Sequence, residues 1–303
     1  MYKFKNLDIE DKEIFYKYQK DYRFNTYEYS FVNLYLWRRY CNVQYTIIKD
    51  ALIIKKTEEK IGSYFMEPIG YADENLQEII SELLKIKETD KNINYLFRDV
   101  EEPFLQKLKT IYGGNFLYFE DVKNFDYIYE SQKMIDLTGE KLRKRRLQYN
   151  QFIESYDYTV KDIHDEEVVE DCLHLSREWF EAQKSTNREL KFELGGIRDV
   201  LINRDKINID GIAVYVEDKI IAFTIGEKVN HRMAIIHTEK GDTAYKGIYP
   251  FINRTFAEKY LKDVTYINRE EDLGIVGIKK AKEAYDPIKL EKKYYVDFLR
   301  GVI

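Results

Sequence analysis

Apolar residues recur at helical spacing in DIEDKEIFYKYQK (8–20) and again in EYSFVNLYLWRRY (28–40), so both segments are read as helices. The pattern then changes. β-Branched and aromatic residues dominate VQYTIIK (43–49), ALIIKK (51–56) and IGSYFMEP (61–68), three runs between turn signals that predict strands. Asp73 is read as the cap of a helix over ENLQEIISELLKIK. A strand at NYLFR, a helix from near Pro103 and a closing strand pair at NFLYFE and FDYIYE complete the first half.

The second half repeats this order. A basic helix over 139–155 and a short strand, YTVKDI, precede helices over 166–184 and 193–204. Three strands follow, IDGIAVYV, KIIAFTIGEKV and RMAIIHTEK, separated by turn-like residues at 217–219 and 229–231. Helix YPFINRTFAEKYL, strand VTYIN, helix LGIVGIKKAKEAY and strand KKYYVDFL end the series. With the basic helix and the extra strand set aside, each half runs ααβββαβαβ. No residue-level repeat accompanies the duplicated order. The segment Ser131–Thr138 is the natural linker, which predicts domains over 1–135 and 136–303.

Composition adds bounds. The 303 residues are 44% hydrophobic and 34% charged with 4 prolines, the balance of a globular chain of about two domains. Cys41 and Cys172 form no CxxC pair, which fits a reducing compartment. The N-terminal MYKFKNLDIEDKE has no apolar core of a signal peptide, and the longest apolar runs are strand-sized. The expectation is a cytoplasmic monomer with no transmembrane segment.

The net charge of −5 hides a local contrast: GEKLRKRRLQ (139–148) carries Lys141, Arg143, Lys144, Arg145 and Arg146 against Glu140 alone. If Thr138 caps a helix beginning at Gly139, these cations oppose its macrodipole, and a bound anion would relieve the conflict. At about 100° per residue, Arg143, Arg146 and Asn150 share one face, and Arg145 lies on a neighbouring one. A solvated basic face accounts for the same residues.

Three consecutive carboxylates, Glu270, Glu271 and Asp272, stand where strand VTYIN hands over to a helix. Asp272 is expected to cap that helix, with the other two near its positive end. A third carboxylate adds repulsion, which raises at least one pKa and suits a general base acting on an amine. The cluster could instead hold an ammonium group. Gly274, Gly277 and Ala281 form a stripe that would press the helix against a sheet, and Lys279, Lys280 and Lys282 sit where the macrodipole favours them. His237 has Glu239 two residues on, on the same side of a strand, a secondary acid–base candidate for which a satisfied strand histidine is the stronger reading. The four histidines show no metal-ligand spacing, so no metal site is expected.

The element order resembles two GNAT acyltransferase domains in tandem. Four segments bring it closer to the Fem-like aminoacyltransferases and the phosphatidylglycerol lysyltransferase C-terminal domain family: YSFVNLYLWRRY (29–40), LTGEKLRKRRLQYNQF (137–152), FTIGE (223–227) and NREEDLGIVGIKKAKEAYDPIKLEKKY (268–294). The resemblance implies an α/β (α+β) fold of two tandem GNAT-like domains, each a mixed sheet flanked by helices, with the active cleft in the second. It implies transfer of an acyl or aminoacyl group from acyl-CoA or aminoacyl-tRNA to a small-molecule, peptide or lipid acceptor. Donor phosphates would fall to Lys141, Arg143, Arg145, Arg146, Asn150, Lys246 and Gly247. Catalysis would fall to Glu270, Glu271, Asp272 and Glu239, in an acceptor cleft with Asn268, Arg269, His237 and Tyr285.

A departure from the GNAT pattern lies in the strand-to-helix loop. Thr243-Ala244-Tyr245-Lys246-Gly247 keeps one glycine of the Q/R-x-x-G-x-G/A signature of CoA-using members, and Tyr249 stands for the second. This favours a donor other than CoA. A CoA-dependent N-acetyltransferase and a non-catalytic double module that binds nucleic acid or a partner protein are the rival expectations.

Overall fold

The computed structural model describes residues 2–183 and 188–299. Their contacts divide into two units: the described residues of Met1–Val122 with Lys292–Ile303, and those of Lys123–Glu291.

In chain order the first unit holds β1 (Lys5–Asn6), α1 (Lys12–Gln19), α2 (Phe31–Trp37), β2 (Gln44–Ile48), β3 (Ala51–Glu58), β4 (Gly62–Phe65), α3 (Leu76–Thr89), β5 (Ile93–Val100), α4 (Glu102–Tyr112) and β6 (Phe116–Glu120). The second holds β7 (Asp126–Glu130), α5 (Ser131–Asp136), α6 (Arg143–Ser155), β8 (Tyr158–Asp162), α7 (Glu166–Ala182), α8 (Arg188–Ile202), β9 (Asp210–Val216), β10 (Lys219–Lys228), β11 (Met233–Gly241), α9 (Ile248–Tyr260), β12 (Tyr266–Asn268), α10 (Val276–Glu283) and β13 (Lys289–Glu291). The last strand, β14 (Tyr294–Phe298), returns to the first unit.

Each unit is built on a seven-stranded mixed sheet, in the orders β1-β2-β3-β4-β5-β14-β6 and β13-β7-β12-β11-β10-β9-β8. Both contain a three-strand antiparallel meander followed by one parallel pair, β4–β5 and β11–β12. The same device turns both meanders: Lys49 and Asp50 in one, Glu217 and Asp218 in the other, all at positive φ. Two left-handed residues match the twist of the flanking strands.

In the first unit, α3 and α4 bury Ile79, Ile80, Leu83, Leu105 and Leu108 against the sheet, together with Tyr294, Val296 and Phe298 of β14. In the second, β10 is buried from Ile220 to Glu227, so helices cover both of its faces. Phe152 of α6 and Phe251 and Phe256 of α9 fill one side of that core.

Several expectations need correction. NFLYFE and FDYIYE do not pair: β6 joins β14, and β7 joins β12 and β13. The three-residue turn Val122–Asn124 sends the chain into the second sheet instead of back along the first. The expected division at 135/136 therefore gives way to boundaries at 122/123 and 291/292. Part of the expected linker is helix α5. The basic helix begins at Arg143, after buried Leu142, so Thr138 does not cap it. Asp73 lies inside a 3-10 turn and pairs with Lys107 at 2.7 Å in place of capping α3. Of the helix expected over 166–184, Lys184 lies outside the described residues.

Candidate functional site

The second sheet opens at one point. β11 and β12 pair only from Met233↔Tyr266 to Ile235↔Asn268; β11 continues to Gly241 while the chain after Asn268 leaves. Buried Asn268 shapes the departure. Its Oδ1 accepts the Glu270 N–H at 2.7 Å, and its Nδ2 donates to Asp126 Oδ2 at 2.7 Å. Glu270 takes a left-handed φ of 59°. The Arg269 N–H donates to the Tyr127 carbonyl, and the Tyr127 N–H to the Glu270 carbonyl, which tie the segment to β7.

Side chains bridge the gap this opens. Arg269 reaches Glu239 of β11 at 3.3 Å, and Glu270 Oε1 lies 3.0 Å from His237 Nδ1. The other ring nitrogen of His237 sits 2.8 Å from Glu227 of β10. Burial alone would lower the pKa of this imidazole, but its bonds to Glu227 and Glu270 outweigh burial and raise it to about 9. His237 is thus an imidazolium held between two carboxylates. Burial raises the pKa of Glu270, and His237 only partly offsets it.

Lys282 of α10 completes the cluster, donating to the carbonyls of Arg269 and Glu271. Burial lowers its pKa to about 8, with Glu270 acting against the shift. A half-buried amine and a half-buried carboxylate are thereby both drawn toward neutral pH.

A second feature lies at the start of α9. A cavity of about 320 Å³ is lined by Arg145, Gln148 and Gln151 of α6 and by Thr243 and Tyr245–Pro250. Gly247 has φ +89°, and a Cβ there would stand 2.1 Å from the Gln148 carbonyl oxygen. Glycine is required for the turn and for the close approach of α6. Arg145 Nη1 donates to Gln148 Oε1 at 2.8 Å, while its buried Nε has no hydrogen-bond partner among the described residues. Two cations, Arg145 and Lys246, make this cavity suited to an anion.

Tyr285 connects the two features. The Arg145 and Arg269 guanidinium carbons lie 5.4 and 4.8 Å from the centre of its ring. Its buried hydroxyl has no hydrogen-bond partner among the described residues.

The residues anticipated from sequence thus separate. Arg145, Lys246 and Gly247 meet at the cavity. Lys141 instead pairs with Asp286 at 2.7 Å, Arg146 binds the Leu137 carbonyl, and Arg143 and Asn150 are exposed away from the lining. His237, Arg269, Glu270, Glu239, Asn268 and Tyr285 belong to the cluster, yet His237 and Glu239 engage different partners. Asp272 does not cap α10, which starts four residues later with Ile275 as its N-cap. Its carboxylate accepts from Tyr127 OH and from the Gly274 N–H, both at 2.7 Å, so it holds the loop. Gly277 presses against nothing within 4 Å, so the expected small-residue packing is absent. Lys282, Glu227 and Gln148 were missed. Glu227 carried a signal, as an acid inside the apolar run KIIAFTIGEK; Lys282 had none among its neighbouring lysines.

Residues 19–297 match the family described as phosphatidylglycerol lysyltransferase, C-terminal. A crystal structure of a conserved protein of unknown function from Bacteroides thetaiotaomicron VPI-5482 is 30% identical, with a TM-score of 0.89 over 99% of this chain and 100% of that one. The structure of L-PGS from Bacillus licheniformis superposes at a TM-score of 0.66 and 17% identity, covering 97% and 93% of the two chains. A tandem GNAT protein from the clavulanic acid biosynthesis pathway gives 0.50 at 7% identity over 98% and 97%, which identifies the fold as tandem GNAT-like. An uncharacterized protein of Mycoplasmoides gallisepticum strain R(low) is 26% identical over 204 residues, 63% of this chain. The chain spans 61% of the length of that curated relative.

Proposed function

Because the chain belongs to the phosphatidylglycerol lysyltransferase C-terminal family, we propose that it transfers an aminoacyl group from aminoacyl-tRNA to an amine or hydroxyl acceptor in the cytoplasm. The observation that carries this reading is Tyr285, whose ring is flanked by Arg145 from the anion-suited cavity and Arg269 from the carboxylate cluster. A phosphate-bearing donor held at Arg145 and Lys246 would place its activated ester toward the cluster.

In this reading the acceptor attacks the ester carbonyl carbon and gives its proton to Glu270. The bond to the donor oxygen breaks as the aminoacyl bond forms, and the proton leaves with the released hydroxyl. His237, protonated between Glu227 and Glu270, positions the Glu270 carboxylate. A backbone amide of the 239–247 segment stabilises the oxyanion. Asp272 acts through the loop alone.

The test is a thermal melt at low salt with bulk charged tRNA, with acetyl-CoA, or with neither. Saturation at about 100 times Kd adds roughly 2.7 kcal/mol, a rise of several degrees. A rise with charged tRNA that Arg145→Ala removes supports the proposal. A rise with acetyl-CoA alone overturns it in favour of a CoA-dependent acetyltransferase. Binding of tRNA without turnover in any acceptor mixture would make the chain a non-catalytic module.

A further inference from the structure

Three buried donor groups stand around one ring. Tyr285 is only 5% exposed, and its hydroxyl, Arg145 Nε and Arg269 Nη1 all lack a hydrogen-bond partner among the described residues. Both guanidinium carbons lie within 5.4 Å of the Tyr285 ring centre, so the three groups share one small volume. The side chains that carry them are held in place by other atoms. Arg145 Nη1 donates to Gln148, Arg269 Nη2 to Glu239 and the Tyr285 N–H to the Lys282 carbonyl, while the Tyr129 ring meets Tyr285 edge-on at 6.4 Å. An unpaired buried donor destabilises the fold, so three together mark a place kept for an acceptor.

The charge balance describes that acceptor. Arg269 is paired with Glu239, whereas Arg145 has no carboxylate partner among the described residues, which leaves a surplus of one positive charge beside the ring. A water molecule accepts at most two hydrogen bonds and brings no charge. A singly charged oxyanion supplies several acceptor oxygens and the missing charge together.

We propose that Tyr285 Oη, Arg145 Nε and Arg269 Nη1 form a binding site for a singly charged oxyanion, a carboxylate or a phosphodiester. Arg145 is shared, so the site adjoins the cavity at the start of α9 without being part of its lining elsewhere. The site stands on the three donors; the source of its occupant rests on the transferase reading. In that reading a carboxylate belongs to the acceptor, a free amino acid or a peptide, and a phosphodiester to the donor chain. Tyr285 then determines specificity by touching the charged group of a substrate, away from the bond that breaks.

The test is a set of thermal melts of the full chain at constant ionic strength in chloride, titrated with acetate, dimethyl phosphate or neutral methyl acetate. The wild-type midpoint should rise by a few degrees with acetate or with dimethyl phosphate, and not with methyl acetate. A rise with acetate assigns the site to a carboxylate, and a rise with dimethyl phosphate to a phosphodiester. Tyr285→Phe should leave the midpoint in chloride at or above the wild-type value, because it deletes an unpaired hydroxyl, and should weaken anion binding about tenfold. Lys246→Gln, a change to the cavity alone, should keep that binding. Three results overturn the proposal: no rise with either anion, a rise that methyl acetate matches, or anion binding that Lys246→Gln abolishes or Tyr285→Phe leaves intact. A midpoint in chloride that drops by several degrees in Tyr285→Phe means that the hydroxyl is bonded inside the fold, and also overturns it. No tRNA enters these melts, so failure of the transferase reading and failure of this site are separate results.

Discussion

Glu270 and His237 are joined by a 3.0 Å contact across the gap between β12 and β11, and the far side of the imidazole is closed by Glu227. A cation is therefore built into the sheet at the place where its two parallel strands separate. That cation ties stability to pH. His237 is raised from 6.5 to about 9, so its contribution is complete below about pH 6.5 and is lost as pH rises through 9. A shift of this size corresponds to roughly 3–4 kcal/mol. Lys282 has the opposite sign: its pKa falls from 10.5 to about 8, so stability is recovered as pH climbs between those values. Denaturant midpoints should fall from pH 6.5 to 8 and flatten between pH 8 and 9, where Lys282 offsets His237; above that, buried Cys41 and Cys172, which keep their protons in the folded chain, pull stability down again. His237→Gln should abolish the first fall, and Lys282→Met the flattening.

Glu270→Gln should lower turnover by two or more orders of magnitude and also lower the melting midpoint, because His237 loses one of its two carboxylates. Asp272→Asn is the contrasting change. It weakens the acceptor for Tyr127 OH and the Gly274 N–H, at about 1–2 kcal/mol of stability, with a smaller loss of rate. Steady-state kinetics with urea midpoints for both variants checks the assignment. Equal rate losses would mean that the loop, rather than the carboxylate of Glu270, governs activity.

Gly247→Ala should be costly for two reasons. Its φ of +89° disfavours any side chain, and the new methyl group would meet the Gln148 carbonyl at 2.1 Å. The expected loss is about 2–4 kcal/mol. Gly277→Ala, with nothing within 4 Å, should instead be neutral or slightly stabilising. Paired thermal melts decide it.

Arg145→Lys should fail to replace arginine. A lysine keeps the charge at the cavity but loses the planar group beside Tyr285 and the bond to Gln148. Donor affinity should drop about tenfold, read by titration with charged tRNA; unchanged affinity would mean that the cavity senses charge alone.

Much of this was legible in the chain. Apolar spacing placed nearly every long element, because each buries one face and must carry a matching period. The NREED segment stood out because three adjacent acids need a physical reason. Lys282 did not stand out: burial comes from the fold around α10, and nothing in KKAKE distinguishes the lysine that turns inward. The strand exchange was hidden for a related reason, since edge pairing depends on which sheet has a vacancy and not on the strand's own residues. A trace of the duplication was also too small to read. Arg98–Asp99 lies within β5, one residue before its end, as Arg269–Glu270 follows β12, and Asp99 and Glu270 have φ of 60° and 59°. Arg98 faces Tyr295 of β14, and Arg269 faces Tyr129 of β7, each strand lying beside the respective parallel strand. Two residues within different surroundings leave no sequence repeat.

The place of β14 between β5 and β6 bears on how the polypeptide is made. A ribosome releases residues 1–122 long before Tyr294–Phe298 exist, so the first sheet must wait with an open slot between two strands. Strand β7, by contrast, emerges early and waits for the rest of its own sheet. Throughout translation, then, unpaired edges of both sheets are exposed to other nascent chains, the condition under which wrong strands pair and chaperones are needed. Strand β14, made after every other described strand, is the one that closes the first sheet.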